Sequence, residues 1–280
     1  MHLKPLKIVY LILLSENDVY WHDMHSQRDT WATEDSKVIW ISGWNNNYTQ
    51  LKDRILYLPI INTYNNILLK TLMGIEWCLA NLDFDFIVRT NTSTYFNTQN
   101  TYNLLNLYKN ENYFSGGYIE KCEDIYFQNR GKIEFMSGCG IFLSKLCALE
   151  IMSIDHNWYL DVPEDIAISH FLWEREIKIT RIPRNNVHFT HIYLPATHAR
   201  LKSSRNGMLA SKRMNNLSDI AKASNFQCRF IALIGFYRTE LMDISWRIGS
   251  LKTYLINVRY IFINYYKIKR KQDFVFQRDL

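Results

Sequence analysis

No CxxC pair occurs anywhere in the 280 residues, and the five cysteines (Cys78, Cys122, Cys139, Cys147 and Cys228) are odd in number. Paired-cysteine metal and disulfide frameworks are therefore not indicated, and the pattern reads as free thiols in a reducing compartment. Long apolar runs are missing too. The first, Ile8 to Leu14, is far too short to span a bilayer and leads straight into polar sequence. It reads as the first strand of a fold rather than as a signal or anchor, and a cytoplasmic location is expected. There is no internal repeat, no low-complexity linker and no recognised nucleic-acid motif, so a nucleic-acid partner is not expected.

What is present fits a globular chain able to bury a sizeable core, with 48% hydrophobic and 21% charged residues. Aromatics reach 15%, a level that favours ring-stacking surfaces as well as core packing. The net charge of +6 is unevenly spread. From Arg200 onward there are 16 Lys and Arg against 5 Asp and Glu, whereas the preceding residues carry 17 against 22. An acidic body with a basic tail suggests an anionic partner for the tail.

Short apolar runs alternate with helical periodicity through the first half. Strands are expected at Lys7–Leu14, Val38–Ser42, Phe84–Val88, Phe135–Leu143 and Lys178–Ile182. Helices are expected at Tyr64–Asn81, Asn100–Lys109 and Pro163–Glu176. Such alternation implies an α/β layer fold with a largely parallel sheet. Near residue 200 the chain changes character, which divides it into a domain at 1–200 and a basic, mainly helical extension at 201–280. Across the change, 197–216 reads as loop, and beyond it Phe226–Leu241 and Trp246–Lys271 read as helices. The last of these could dock on the domain or on a second subunit, as in a homodimer. Alternatively, it could rest as a basic amphipathic helix on an anionic membrane surface.

The stretch "FIVRTNTSTYFN", residues 86–97, poses a sharper question. An apolar strand ends in Thr90, Asn91, Thr92, Ser93 and Thr94, and ligands gather beyond the carboxyl ends of strands in open α/β sheets. No carboxylate is found there. Four further segments carry more information: "LLSENDVYWHDMHSQRDTW" with Arg28, "YNNILLKTLMGIEW" with Tyr64, Asn66, Lys70, Thr71 and Leu72, "FMSGCGIFLS", and "VPEDIAIS". In this order they resemble the family-31-type β-1,3-glycosyltransferases, which include fringe-like and β-1,3-galactosyltransferase-like enzymes. The resemblance implies a GT-A fold (Rossmann-like, mostly parallel) and a nucleotide-sugar donor, with UDP the expected carrier. It also implies inverting transfer of a hexose or N-acetylhexosamine onto a glycan or lipid-linked acceptor, as in polysaccharide biosynthesis.

Aligned on this resemblance, the family's Lys-Thr-Asp-Asp-Asp falls on Arg89, Thr90, Asn91, Thr92 and Ser93. The carboxylates that would hold Mn²⁺ or Mg²⁺ are thus replaced by neutral oxygens, which hard divalent cations bind far more weakly. Either the protein is a catalytically inactive GT-A relative that binds glycans or scaffolds other enzymes, or fixed cations meet the charge of the departing diphosphate and no metal cofactor is required. His198, Arg200, Lys202 and Arg205 are the candidate cations, arginine suiting phosphate through its planar fork. An inverting transfer also needs a base. The resemblance gives that role to Asp165, with Glu164 beside it, although acids after a proline also suit a helix N-terminus.

Arg28, Arg89, Asn91 and Ser93 are further donor-side candidates, a structural salt bridge being the alternative for Arg28 and backbone satisfaction for the two polar residues. Gly138, Gly140 and Trp158 are acceptor-side candidates, the glycines through close backbone approach or a bulge. His188, His191 and His198 have a spacing that could ligate a metal, but no carboxylate accompanies them and no metal site is assigned.

Overall fold

The computed structural model describes residues 5–201 apart from 35, 45, 46, 128–130, 160 and 187–195, together with 214, 215 and 217–219. Its elements are β1 (Ile8–Leu13), α1 (Asp18–Thr30), β2 (Lys37–Gly43), β3 (Gln50–Lys52), β4 (Ile55–Leu58), α2 (Ile67–Asn81), β5 (Phe86–Asn91), β6 (Thr94–Phe96), α3 (Thr98–Leu107), β7 (Ser115–Glu123), β8 (Lys132–Ser144), α4 (Lys145–Ile151), α5 (Glu164–Glu174), β9 (Ile179–Arg181), β10 (Arg184–Asn186) and β11 (His198–Arg200). A 3₁₀ turn, His156–Tyr159, precedes α5.

An eight-stranded sheet runs in the order β3-β4-β2-β1-β5-β8-β7-β9. Strands β4, β2, β1 and β5 are mutually parallel, which requires both faces of the sheet to be covered. That explains why IVYLIL and FIV are apolar at successive positions rather than alternating. Beyond β5 the sheet turns mixed: β8 is antiparallel to both β5 and β7, and β9 is parallel to β7. A second sheet, β10-β11-β6, covers the polar end of β5. This is the expected α/β arrangement, a parallel half continued by a mixed half.

The two faces bury separate cores. On one, α2, α4 and α5 pack Leu72, Ile75, Cys147, Ile168 and Leu172 against Leu11, Ile87 and Ile141. On the other, Met24, Trp31 and Leu105 meet Tyr10, Trp40, Phe96 and Phe142. Asparagine side chains start two of the helices: Asn17 accepts from the Val19 N–H and Asn97 from the Asn100 N–H. Met214 and Leu217 are buried in the second core, so part of the segment read as polar loop or extension packs on the domain. Residues 202–213, 216 and 220–280, including both expected tail helices and the membrane or dimer contacts read from them, lie outside the described residues. Among the described residues the cysteines are free thiols, and no helix is long and apolar enough to cross a membrane.

Candidate active site

The site is organised by a wide bulge in β8. Pairing with β7 runs from Ser115 opposite Leu143 to Gly117 opposite Ile141, then resumes at Ile119 opposite Met136. Tyr118 alone therefore faces the Ser137-Gly138-Cys139-Gly140 stretch, and the extra residues push out of the ladder. Both glycines sit where a side chain would crowd its neighbours. A Cβ on Gly138 would lie 2.8 Å from Arg89 Nη1 and 3.3 Å from Asp165 Oδ2. One on Gly140 would lie 2.9 Å from His198 Nε2.

At Gly138 the strand end of β5 meets the first turns of α2 and α5. Glu164 accepts from the Thr71 hydroxyl (2.7 Å) and pairs with Arg89 Nη2. These two charged side chains are 3% and 4% exposed, respectively. The other terminal nitrogen of Arg89 donates to the Gly138 carbonyl, and the Gly138 N–H donates to Asp165 Oδ2 at 3.0 Å. Burial penalises the charge on Glu164 more than Arg89 relieves it, and its carboxyl is pushed up to about 7. Asp165 is only half-buried. Tyr64 is largely exposed as a residue, and its hydroxyl is raised by partial desolvation and then by the negative charge of Asp165, with Tyr126 and Glu164 adding to the effect. Lys70, buried behind this group, donates to the Leu14 carbonyl (3.1 Å) and Asn62 Oδ1 (2.7 Å). Burial and the nearby Arg89 pull it down to about 8.

The carboxylate-free stretch after β5 is occupied with itself. Asn91 Oδ1 accepts from Ser93 Oγ (3.0 Å) and Thr94 Oγ1 (2.8 Å), and Thr90 donates to the Cys139 carbonyl (2.6 Å). Gln27, which the sequence reading missed, donates to the Asn91 and Thr94 carbonyls (3.2 and 3.0 Å) and accepts from the Trp40 indole (3.0 Å). These neutral, mutually bonded oxygens do not fit a hard divalent cation. Among the described residues no group of three or more His, Cys, Asp or Glu could hold a metal.

A second polar group meets the bulge at Ser137, next to Gly138. Arg184 donates to Ser137 Oγ (2.7 Å) and Glu120 Oε1 (2.8 Å) and covers the Tyr118 ring at 3.9 Å. Arg200 reaches the same Glu120 oxygen at 3.3 Å. Burial pushes the Glu120 carboxyl up, but the hydrogen bond and charge of Arg184, with Arg200, hold it below the usual range. Two arginines thus share one carboxylate and leave one positive charge over. His198 stacks on Phe96 (5.2 Å between centroids) with Nδ1 2.8 Å from Thr197 Oγ1, while its buried Nε2 has no partner. Burial and Arg184 drive its pKa down to about 3.

The geometry brings only some of the expected residues together. His198 is neutral and enclosed, so it adds no charge to a cation cluster. Arg89 points at Glu164 and Gly138 instead of outward. Arg28 donates to the Asp53 carbonyl (2.6 Å) and lies 4.8 Å over Trp40, so it is not brought to the site. Gly140 faces His198 rather than open space. Trp158 is 84% exposed on its 3₁₀ turn. Lys202, Arg205, His188 and His191 lie outside the described residues. Arg184 was missed; it opens the short strand β10, which no apolar run or alternation marks. A cavity of about 520 Å³ lined by Tyr113, Glu150, Arg175, Glu176, Ile177 and Lys178 opens beside the starts of β7 and β9 and contains none of these groups.

The Galactosyltransferase family model matches residues 28–138. The match runs from Arg28 through the strand end at Asn91 to the first glycine of the bulge, and it bears out the resemblance read from the motifs. Among solved structures, a glycosyltransferase involved in the glycosylation of the major capsid of PBCV-1 aligns with a TM-score of 0.47 at 11% identity, covering 75% of this chain and 98% of that one. The galactosyltransferase LgtC in complex with donor and acceptor sugar analogues aligns at 0.42 and 11%, covering 80% and 99%. A mannosyltransferase from Pyrobaculum calidifontis in complex with GDP-Man and Mn²⁺ aligns at 0.41 and 8%, covering 97% and 85%. These likenesses are too distant to carry a functional inference. No curated protein matches the chain.

Proposed function

We propose that the protein is an inverting glycosyltransferase. It moves a hexose or N-acetylhexosamine from a UDP-linked donor to a glycan or lipid-linked acceptor, without a metal cofactor. One observation carries this reading: neighbouring residues of a single four-residue bulge contact a half-buried carboxylate (Asp165, at Gly138) and a member of a net positive arginine pair (Arg184, at Ser137). In the proposed reaction Asp165 takes the proton from the acceptor hydroxyl as that oxygen attacks the anomeric carbon. The bond to the diphosphate breaks with inversion, and Arg184 and Arg200, together with Lys202 and Arg205, meet the charge that develops on the leaving group. Glu164 is too deeply enclosed to touch an acceptor, so the base role falls to Asp165 alone.

The test is incubation with radiolabelled UDP-hexoses and UDP-N-acetylhexosamines in EDTA, following both transfer and hydrolysis. The parent should turn over at least one donor. Asp165→Asn should lose at least about a thousandfold in turnover while still binding UDP, base catalysis being worth about 10²–10⁴. No turnover of any donor by the parent would favour the inactive glycan-binding or scaffolding alternative.

A further inference from the structure

A buried ion pair is weak support for stability, because desolvating both charges offsets most of their attraction and an apolar pair of similar volume often does as well. Arg89 and Glu164 form such a pair on the wall of the site. The remaining bonds of Arg89 lead toward the reacting groups. Its free terminal nitrogen holds the Gly138 carbonyl, and the N–H of that same residue holds Asp165 Oδ2. The Arg89 and Asp165 side chains converge so closely on Gly138 that both lie within 3.3 Å of where its Cβ would be. Asp165 Oδ1 is engaged only by the N–H of the next residue, Ile166, at 3.1 Å.

We infer that Arg89 is a positioning residue for Asp165, acting through the Gly138 peptide. The guanidinium is fixed at one end by Glu164, which Thr71 and burial hold in turn. At the other end it fixes the bulge, so that the Gly138 N–H stays aimed at one carboxylate oxygen and the second faces the acceptor. Position 89 therefore serves the base side of the reaction and not the donor. This inference rests on Asp165 being the base, and its test separates the two ideas.

The variants are Arg89→Met/Glu164→Met, which removes both charges and leaves neither partner buried alone, together with Arg89→Lys and Asp165→Asn. UDP-galactose hydrolysis and amide exchange at Gly138 are the readouts. The double variant should keep the parent's KM within about twofold and lose about 100-fold in kcat, the scale of a misplacement near 1 Å. Its Gly138 N–H should exchange at least about tenfold faster, as expected for a locally opened hydrogen bond. Arg89→Lys can still pair with Glu164 and reach the carbonyl with one N–H, and should recover kcat to within about tenfold of the parent. An inactive Asp165→Asn beside a double variant with unchanged kcat would overturn the inference and leave the base assignment standing. An active Asp165→Asn would remove both. Unchanged Gly138 exchange in the double variant overturns the inference even if UDP-galactose is not hydrolysed.

Discussion

Replacing Glu164 with Gln separates the two forces acting on this side chain, its burial and its partner Arg89. Glutamine keeps an oxygen to accept from Thr71 and Arg89 but cannot ionise. In the parent, the carboxyl lies at about 7 in the folded chain against 4.5 as its ordinary value, because burial outweighs Arg89. A raised acid favours the folded state while protonated, so its contribution is complete below pH 4.5 and is lost as pH rises through 7. At 1.36 kcal/mol per pKa unit, the loss amounts to about 3 kcal/mol across that window. Urea unfolding of parent and Glu164→Gln at half-unit steps from pH 4.5 to 8 measures it directly, since other titrating groups cancel in the difference. The stability of the variant relative to the parent should climb by about 3 kcal/mol over the range. A flat difference, or one that falls with pH, would mean that Arg89 dominates and would refute the reasoning.

Other groups give independent checks. Neutral, buried His198 should destabilise the fold as pH falls, because its depressed pKa leaves the unfolded chain to bind the proton first. Stability should be full above pH 6.5 and drop by about 1.4 kcal/mol per pH unit toward 3, and His198→Leu should abolish that slope. Arg200→Ala should cut donor turnover at least about 100-fold with a change in stability below about 1 kcal/mol, since its pair with Glu120 is half exposed. Arg184→Ala should lose turnover and also about 2 kcal/mol of stability, because it deletes the buried guanidinium's hydrogen bonds to Ser137 and Glu120. Unchanged turnover in both variants would remove the arginines from the donor site.

The parts legible in the sequence are those set by local chemistry. The apolar runs of β1 and β5 and the apolar repeat of α2 announced themselves, as did the start of α5 at Pro163-Glu164-Asp165 and the close approach at "SGCG". What was not legible depends on long-range pairing. Strand β7, "SGGYIEKCE", is glycine-rich at one end and half-exposed at the other, so neither an apolar run nor clean alternation marks it. Glu164 and Asp165 look equivalent as adjacent acids. Only the fold, by bringing Arg89 from 75 residues away onto Glu164, separates a buried, paired carboxyl from a half-exposed one. Gln27 joining Trp40 to the end of β5 left no trace in its helix, and His198 loses its charge only because Phe96, Phe142 and Arg184 enclose it.

The central claim is that fixed cations stand where a metal would otherwise stabilise the departing diphosphate. Thermal melting of the full chain with a saturating UDP series, in EDTA and again with Mn²⁺, tests it most directly. The account predicts the same upward shift of the melting temperature under both conditions, with UDP at 100 times its Kd adding about 2.7 kcal/mol. Stabilisation by UDP only when Mn²⁺ is present would contradict it.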